Sequence, residues 1–274
     1  MNASAYSSRK YFSINRRHSS FPIFFSRGSH TFYRCCFVSD VVGFTTIAST
    51  ISPAKVSDML DRLYRRFDEL TFKYKVFKIE TVGDAYLCVT NLIEDQEFDH
   101  AKRIAEFSAA AIQAANETYI DLENPNMGCV QIRVGFHSGP VITNVVGCRL
   151  PKFSMFGDTI NCAARMESNS LPGRIHCSKE SADLLMTQHP NDVILKSRGQ
   201  IEIKGKGLME TFWVEFDGAN DHSSNDEQPP IKSLLPKVSL APTERTSVGS
   251  IISSYCGEDF HDGDDESCGT LISC

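Results

Sequence analysis

The sequence predicts an α+β fold: a ferredoxin-like split βαβ core, with helices on one face of a mostly antiparallel sheet. Three observations predict it. Hydrophobic patterns alternate as β, α, β, β, α, β between residues 32 and 137. A proline-led helical pattern starts at Ser52-Pro53. Residues 78–89, KIETVGDAYLCV, are two apolar runs joined by a Gly-Asp turn.

Taken in order, residues 32–38 form an apolar run ending at Ser39-Asp40, which reads as a buried strand. Ser52 caps the first helix and Pro53 occupies its first turn. Val56, Met59, Leu60, Leu63, Tyr64, Phe67 and Leu70 then keep helical spacing. Residues 76–89 make a hairpin, because Gly83 accepts positive φ and Asp84 bonds its own backbone. A second amphipathic helix covers 101–115, and 130–137 is a strand. Residues 141–146 extend the sheet. Phe156-Gly157-Asp158-Thr159 leads into a short helix over 160–167. A strand at 174–177 and a helix at 179–188 follow. Residues 193–216 close with two strands, turning near Arg198-Gly199 or at Gly205-Lys206-Gly207.

This organisation gives one domain over residues 31–216. Residues 1–30 are expected to be a disordered basic leader. A transit peptide and a join to an upstream region are the other readings of that acid-free, Ser-rich stretch. Residues 217–274, rich in Ser, Asp, Pro and Gly, are expected to be a disordered acidic tail. The net charge of −6 gives no reason to expect nucleic acid as a partner. No apolar run is long enough to span a bilayer. The ten cysteines show no zinc spacing. Cys88, Cys129, Cys162 and Cys177 fall inside strand-like or helix-like patterns, where a buried thiol fits. A reduced, cytoplasmic compartment is therefore expected.

The split βαβ order makes the first and third strands antiparallel neighbours. Asp40 ends the first and Asp84 begins the third, so their carboxylates should meet at one edge of the sheet. Singly, each reads as a turn or hairpin cap. Together they repel unless a cation lies between them. Such pairs hold hard divalent ions along with substrate phosphates. Gly43, Phe44 and Thr45 follow Asp40 with backbone N–H groups suited to phosphate oxygens. Asn161 and Arg165, four residues apart on one helix, share a face that suits a hydroxyl and a phosphoryl charge, or is simply solvated. Lys204 and Lys206 flank Gly205 in a flexible turn, which by itself reads as solvated. No P-loop, kinase, HExxH or GxSxG motif is present.

Five stretches resemble the class III nucleotidyl cyclase catalytic domain, most nearly that of receptor-type guanylate cyclases. They are FVSDVVGFT, KIETVGDAY, RVGFHSGPV, FGDTINCAARMES and IKGKGLMETFWV, in order, across residues 35 to about 216. The resemblance implies a guanylate cyclase: the 3′-hydroxyl of GTP attacks its own α-phosphate, giving cyclic GMP and pyrophosphate. It implies two Mg²⁺ or Mn²⁺ ions per site held by Asp40 and Asp84. Asn161 would orient the ribose, Arg165 would stabilise the α-phosphate charge, and Lys204, with Lys206, would hold the terminal phosphates. It also implies a head-to-tail dimer, a homodimer or a pair with a related domain, in which each site draws on both chains.

Glu80 stands where such adenylate cyclases tend to carry Lys. A carboxylate accepts from guanine N1–H and the 2-amino group, so Glu80 implies GTP. Ser154 occupies the second base-reading position, usually Cys in guanylate cyclases and Asp or Thr in adenylate cyclases. Lys152 stands where many relatives have Arg, as a support for Glu80. Three readings compete: an adenylate or mixed-specificity cyclase, a non-catalytic cyclase-homology dimerisation domain, and another two-metal phosphotransferase. Receptor-type relatives carry a membrane span, a kinase-like region and a coiled linker ahead of this domain, none of which is visible in this sequence.

Overall fold

The computed structural model describes residues 11–12, 23–24, 32–147 and 149–216. Tyr11–Phe12 and Ile23–Phe24 pair antiparallel. The rest of the expected leader, and the expected tail at 217–274, lie outside the described residues.

The chain runs β1 (Phe32–Val41), α1 (Phe44–Thr50), α2 (Pro53–Tyr74), β2 (Phe77–Val82), β3 (Ala85–Thr90), α3 (His100–Asn116), β4 (Ile132–Val146), β5 (Lys152–Phe156), α4 (Asp158–Ser168), β6 (Ile175–Ser178), α5 (Lys179–Gln188), β7 (Ile194–Ile203) and β8 (Gly207–Glu215). The sheet order is β2-β3-β1-β4-β6-β8-β7, with β5 paired to the far half of β4. Among the described strands only β4 and β6 pair in parallel. This is the expected mostly antiparallel split βαβ core, with the β7–β8 hairpin added at one edge.

Local chemistry accounts for these elements. The Ser52 side chain accepts from Lys55 N–H, and Pro53 opens α2. Met59, Leu63, Phe67 and Thr71 are the buried residues of α2, one on each successive turn. Gly83, at φ +60°, starts the two-residue turn that sets Val82 opposite Ala85. The closing hairpin turns at Lys204–Lys206, the second of the two expected places. Near Arg198-Gly199 the register slips instead.

Strand β3 is buried throughout, and its side chains enter two cores. Tyr86 and Cys88 join Phe37, Phe67 and Phe107 under α2, α3 and α5. Phe67 meets Tyr86 edge-on at 5.3 Å, and Phe107 meets Phe37 at 5.0 Å. Leu87 and Val89 point the other way, to Ile160, Ala163 and Ala164 of α4. Helices α1, α2, α3 and α5 thus share the expected face, and α4 covers part of the other. Among the described residues the six cysteines are free thiols, and no helix is long and apolar enough to cross a membrane.

Candidate active site

Asp40 is the penultimate residue of β1, and Asp84 immediately precedes β3. Ser39 pairs with Tyr86, so the two aspartates meet at the sheet edge as expected. Their carboxyl groups are close enough to perturb each other. Burial, then the neighbouring Asp40 carboxyl, pushes the Asp84 carboxyl up to about 7. Two carboxylates set side by side repel, so the donor set suits a hard divalent ion. Among the described residues no group of three or more His, Cys, Asp or Glu could hold a metal. A two-carboxylate site suits an ion that takes its remaining oxygens from substrate phosphates and water.

Sequence reading missed the groups around this pair. Arg133 lies directly across the β1–β4 ladder from Asp40, and its Nη2 donates to Asp40 Oδ2 at 2.5 Å. Its Nε donates to Glu167 Oε1 at 2.9 Å. Glu167 belongs to α4 and its side chain is 2% exposed. Burial, then the charge of Asp40, pushes its carboxyl up to about 7 against the opposing pull of Arg133. The register of β4 against β1 was the signal that could have found Arg133. Phe44 and Thr45 are the first residues of α1, whose N-cap, Gly43 at φ +68°, supplies no side-chain bond. The first-turn N–H groups beside Asp40 are thus left without a capping side chain.

A second cluster gathers base-reading candidates. Lys152 Nζ of β5 lies 2.5 Å from Glu80 Oε2 of β2. Phe77 and Phe153 meet edge-on at 6.1 Å beside them. Ser154 lies two residues along β5, half-buried and opposite Asn144.

The third cluster lies on α4 and the β7–β8 turn. Asn161 Oδ1 is buried and has no hydrogen-bond partner. Such an atom calls for a ligand or water, because an unmet buried acceptor costs about 1–3 kcal/mol. The Arg165 guanidinium packs on Gly205, where an added β-carbon would stand 3.2 Å from Nη1. Lys206 makes an ion pair with Asp158 in the first turn of α4. Lys204 is exposed and has no ion-pair partner among the described residues, which makes it the available cation of the turn. Among the described residues no hydrogen bond or ion pair links Asp40 and Asp84 to Glu80, or to Asn161, Arg165 and Lys204. The three clusters are thus separate within one chain.

The fold is that of a nucleotide cyclase catalytic domain. The family model described as the adenylate and guanylate cyclase catalytic domain matches residues 32–216. The chain belongs to this family. It is 42% identical over 181 residues to the receptor-type guanylate cyclase gcy-1 of Caenorhabditis elegans, covering 65% of this chain and 16% of that protein. Among solved structures it resembles the guanylate cyclase domain of RhGC from Catenaria anguillulae in complex with GTP. There the identity is 34% and the TM-score 0.61, over 67% of this chain and 96% of that one. A rhodopsin-guanylyl cyclase catalytic core with converted specificity, in complex with ATPαS, is 33% identical with a TM-score of 0.61, over 68% and 96%. The chain spans about a sixth of the length of the curated relatives.

Proposed function

We propose that this domain is a guanylate cyclase, converting GTP to 3′,5′-cyclic GMP and pyrophosphate in a head-to-tail homodimer. The observation that carries the reading is the Glu80–Lys152 ion pair at 2.5 Å. It keeps an anionic acceptor where adenine would offer no pair of adjacent donors. Guanine does offer one, in N1–H and the 2-amino group. Ser154 donates to O6 or accepts from an amino group, so selection against ATP rests mainly on Glu80.

Two Mg²⁺ or Mn²⁺ ions on Asp40 and Asp84 would supply charge neutralisation and a more acidic 3′-hydroxyl. The chain's own groups do the rest. Asn161 Oδ1 accepts from the ribose and fixes its hydroxyl for in-line attack. Arg165 donates to the α-phosphate oxygens, where charge develops as the new O–P bond forms and the bond to pyrophosphate breaks. Lys204 and the N–H groups of Phe44 and Thr45 meet the terminal phosphates. Lys206 acts through Asp158, which it holds at the start of α4.

The separation of the clusters supports the dimer. So do the exposed Ile142, Val146 and Leu150 around the β4–β5 arm, apolar surface available to a second copy or a related domain. Turnover of GTP and ATP, measured separately with Mn²⁺ at several protein concentrations, tests the whole reading. Cyclic GMP should dominate, with specific activity rising as protein is added. Predominant cyclic AMP would overturn the base assignment, and no product from either nucleotide would leave a non-catalytic homology domain.

A further inference from the structure

The sequence holds one tryptophan, Trp213, and the three clusters do not use it. On β8 it stands opposite His176 of β6, which stands opposite Gly135 of β4. The C-terminal half of α4 lies on this row. Gly135 permits the approach, since a β-carbon there would stand 1.9 Å from the backbone nitrogen of Glu167. The rings of His176 and Trp213 meet at a tilt of 42° with centroids 5.0 Å apart, and the Arg198 guanidinium lies 4.5 Å from the indole centroid. Arg198 is aimed there by a bulge. The β7–β8 register slips between Thr211 and Phe212, leaving Arg198 between the paired residues, with Gly199 next at φ +83°.

These groups converge on the last turn of α4. His176 Nδ1 lies 2.7 Å from the carbonyl of Met166 and must donate to it. In the neutral ring Nε2 is then an acceptor, and Arg198 Nη1 lies 3.3 Å from it. The same Nη1 donates to the carbonyl of Asn169. Asn169 Nδ2 in turn donates to the carbonyl of Arg165 at 2.8 Å. Terminal carbonyls of a helix lack intrahelical partners and carry its negative pole, so donors and cations are favoured there. The hairpin therefore grips α4 twice: at its C-terminal turn through Arg198, and at the Arg165 guanidinium through Gly205.

We infer that Arg198, His176 and Trp213 are positioning residues for Arg165, fastening the C-terminal turn of α4 to the β7–β8 hairpin so that Arg165 and Lys204 meet the triphosphate as one rigid unit. The inference rests on the role proposed above for Arg165. It accounts for a bulge, a lone tryptophan and a buried histidine that the reaction itself leaves without a task.

The test compares Arg198→Met and Arg198→Lys with the wild-type chain in two measurements. Hydrogen exchange of the amides at residues 165–170, without nucleotide, reads the anchor. Steady-state cyclisation of GTP with Mn²⁺ reads its consequence. Arg198→Met should exchange faster at those amides and lose about tenfold to a hundredfold in kcat, with KM within about twofold. Arg198→Lys, which keeps one donor, should recover part of both. Unchanged exchange would remove the anchor, and faster exchange with unchanged kcat would remove its service to Arg165. Inactivity of the wild type on both nucleotides would sink the proposed function instead, while exchange still decides the anchor. Should Arg198→Met fail to fold, Arg198→Lys carries the same test, with an intermediate loss expected and an unchanged kcat against it.

Discussion

Glu80 and Asp84 lie four residues apart in one hairpin, yet the structure gives them different company. Glu80 faces Lys152, whereas Asp84 faces Asp40. Each arrangement makes a distinct prediction. Replacing Glu80 by Lys and Ser154 by Asp exchanges an acceptor of guanine's two donors for groups that suit adenine's N1 and amino group. Chromatography of the products should show a shift from cyclic GMP towards cyclic AMP. Retained GTP preference in the double variant would place base selection elsewhere. Asp84→Asn removes one carboxyl from a crowded pair and leaves the Arg133–Asp40 bond in place. Turnover should vanish, while the melting temperature in metal-free buffer holds or rises, as expected when a carboxyl kept for binding rather than folding is neutralised. A fall of several degrees would mean that the pair is structural. Arg133 and Glu167 show where sequence reading stops at this scale. Arg133 lies 93 residues from Asp40 and 34 from Glu167 in the chain. The β1–β4 register sets Arg133 opposite Asp40, and the packing of α4 on Gly135 of β4 brings Glu167 to Arg133.

At the scale of elements, the legible ones carried strong local signals. Ser52-Pro53 and the spacing of α2, and the Gly83-Asp84 turn, each follow from neighbouring residues alone. Helix α1 did not show, because FTTIAST is rich in residues that favour caps, turns and strands. It forms because Gly43 turns the chain and Phe44 and Ile47 pack on the core. Strand β5 exists only through pairing with the far half of β4, so its motif was readable but its state was not. Helix α4 was legible as a helix, but not as the element that closes the second face. Its seat on His176 has a pH signature. Burial, and secondarily the charge of Arg198 against the raising bond to Met166, lowers this imidazole to about 4. In the unfolded chain it titrates near ~6.5. The unfolded state therefore binds more protons between those values, so stability is full above about pH 6.5 and lost as pH falls towards 4, by roughly 3 kcal/mol at the limit. His176→Gln keeps a donor and an acceptor but no titration. In urea unfolding at pH 7 and pH 4.5, the variant should lose less stability across the interval than the wild type. Equal losses would show that the imidazole is not the group responsible.

For the whole molecule, the separation of the clusters decides what one chain can do. The domain carries a carboxylate pair at one edge of its sheet and the groups proposed to read the nucleotide elsewhere, with no hydrogen bond or ion pair between them among the described residues, so the proposed site falls into two halves on each chain. In the proposed head-to-tail dimer two chains would make two sites, each taking its carboxylates from one protomer and its Asn161 and Arg165 from the other. This predicts complementation. Asp40→Ala alone spoils both sites of a homodimer, and so does Asn161→Ala. A mixed dimer concentrates both substitutions in one site and leaves the other intact. If subunits re-pair at random, half of the dimers are mixed, and the mixture should reach about a quarter of wild-type activity. Differently tagged variants, co-purified to verify mixed pairing and assayed with Mn²⁺-GTP, make the measurement. Mixed dimers that stay inactive would mean that each site is assembled within a single chain, and the separate half-sites of the domain would then need a closing motion rather than a partner.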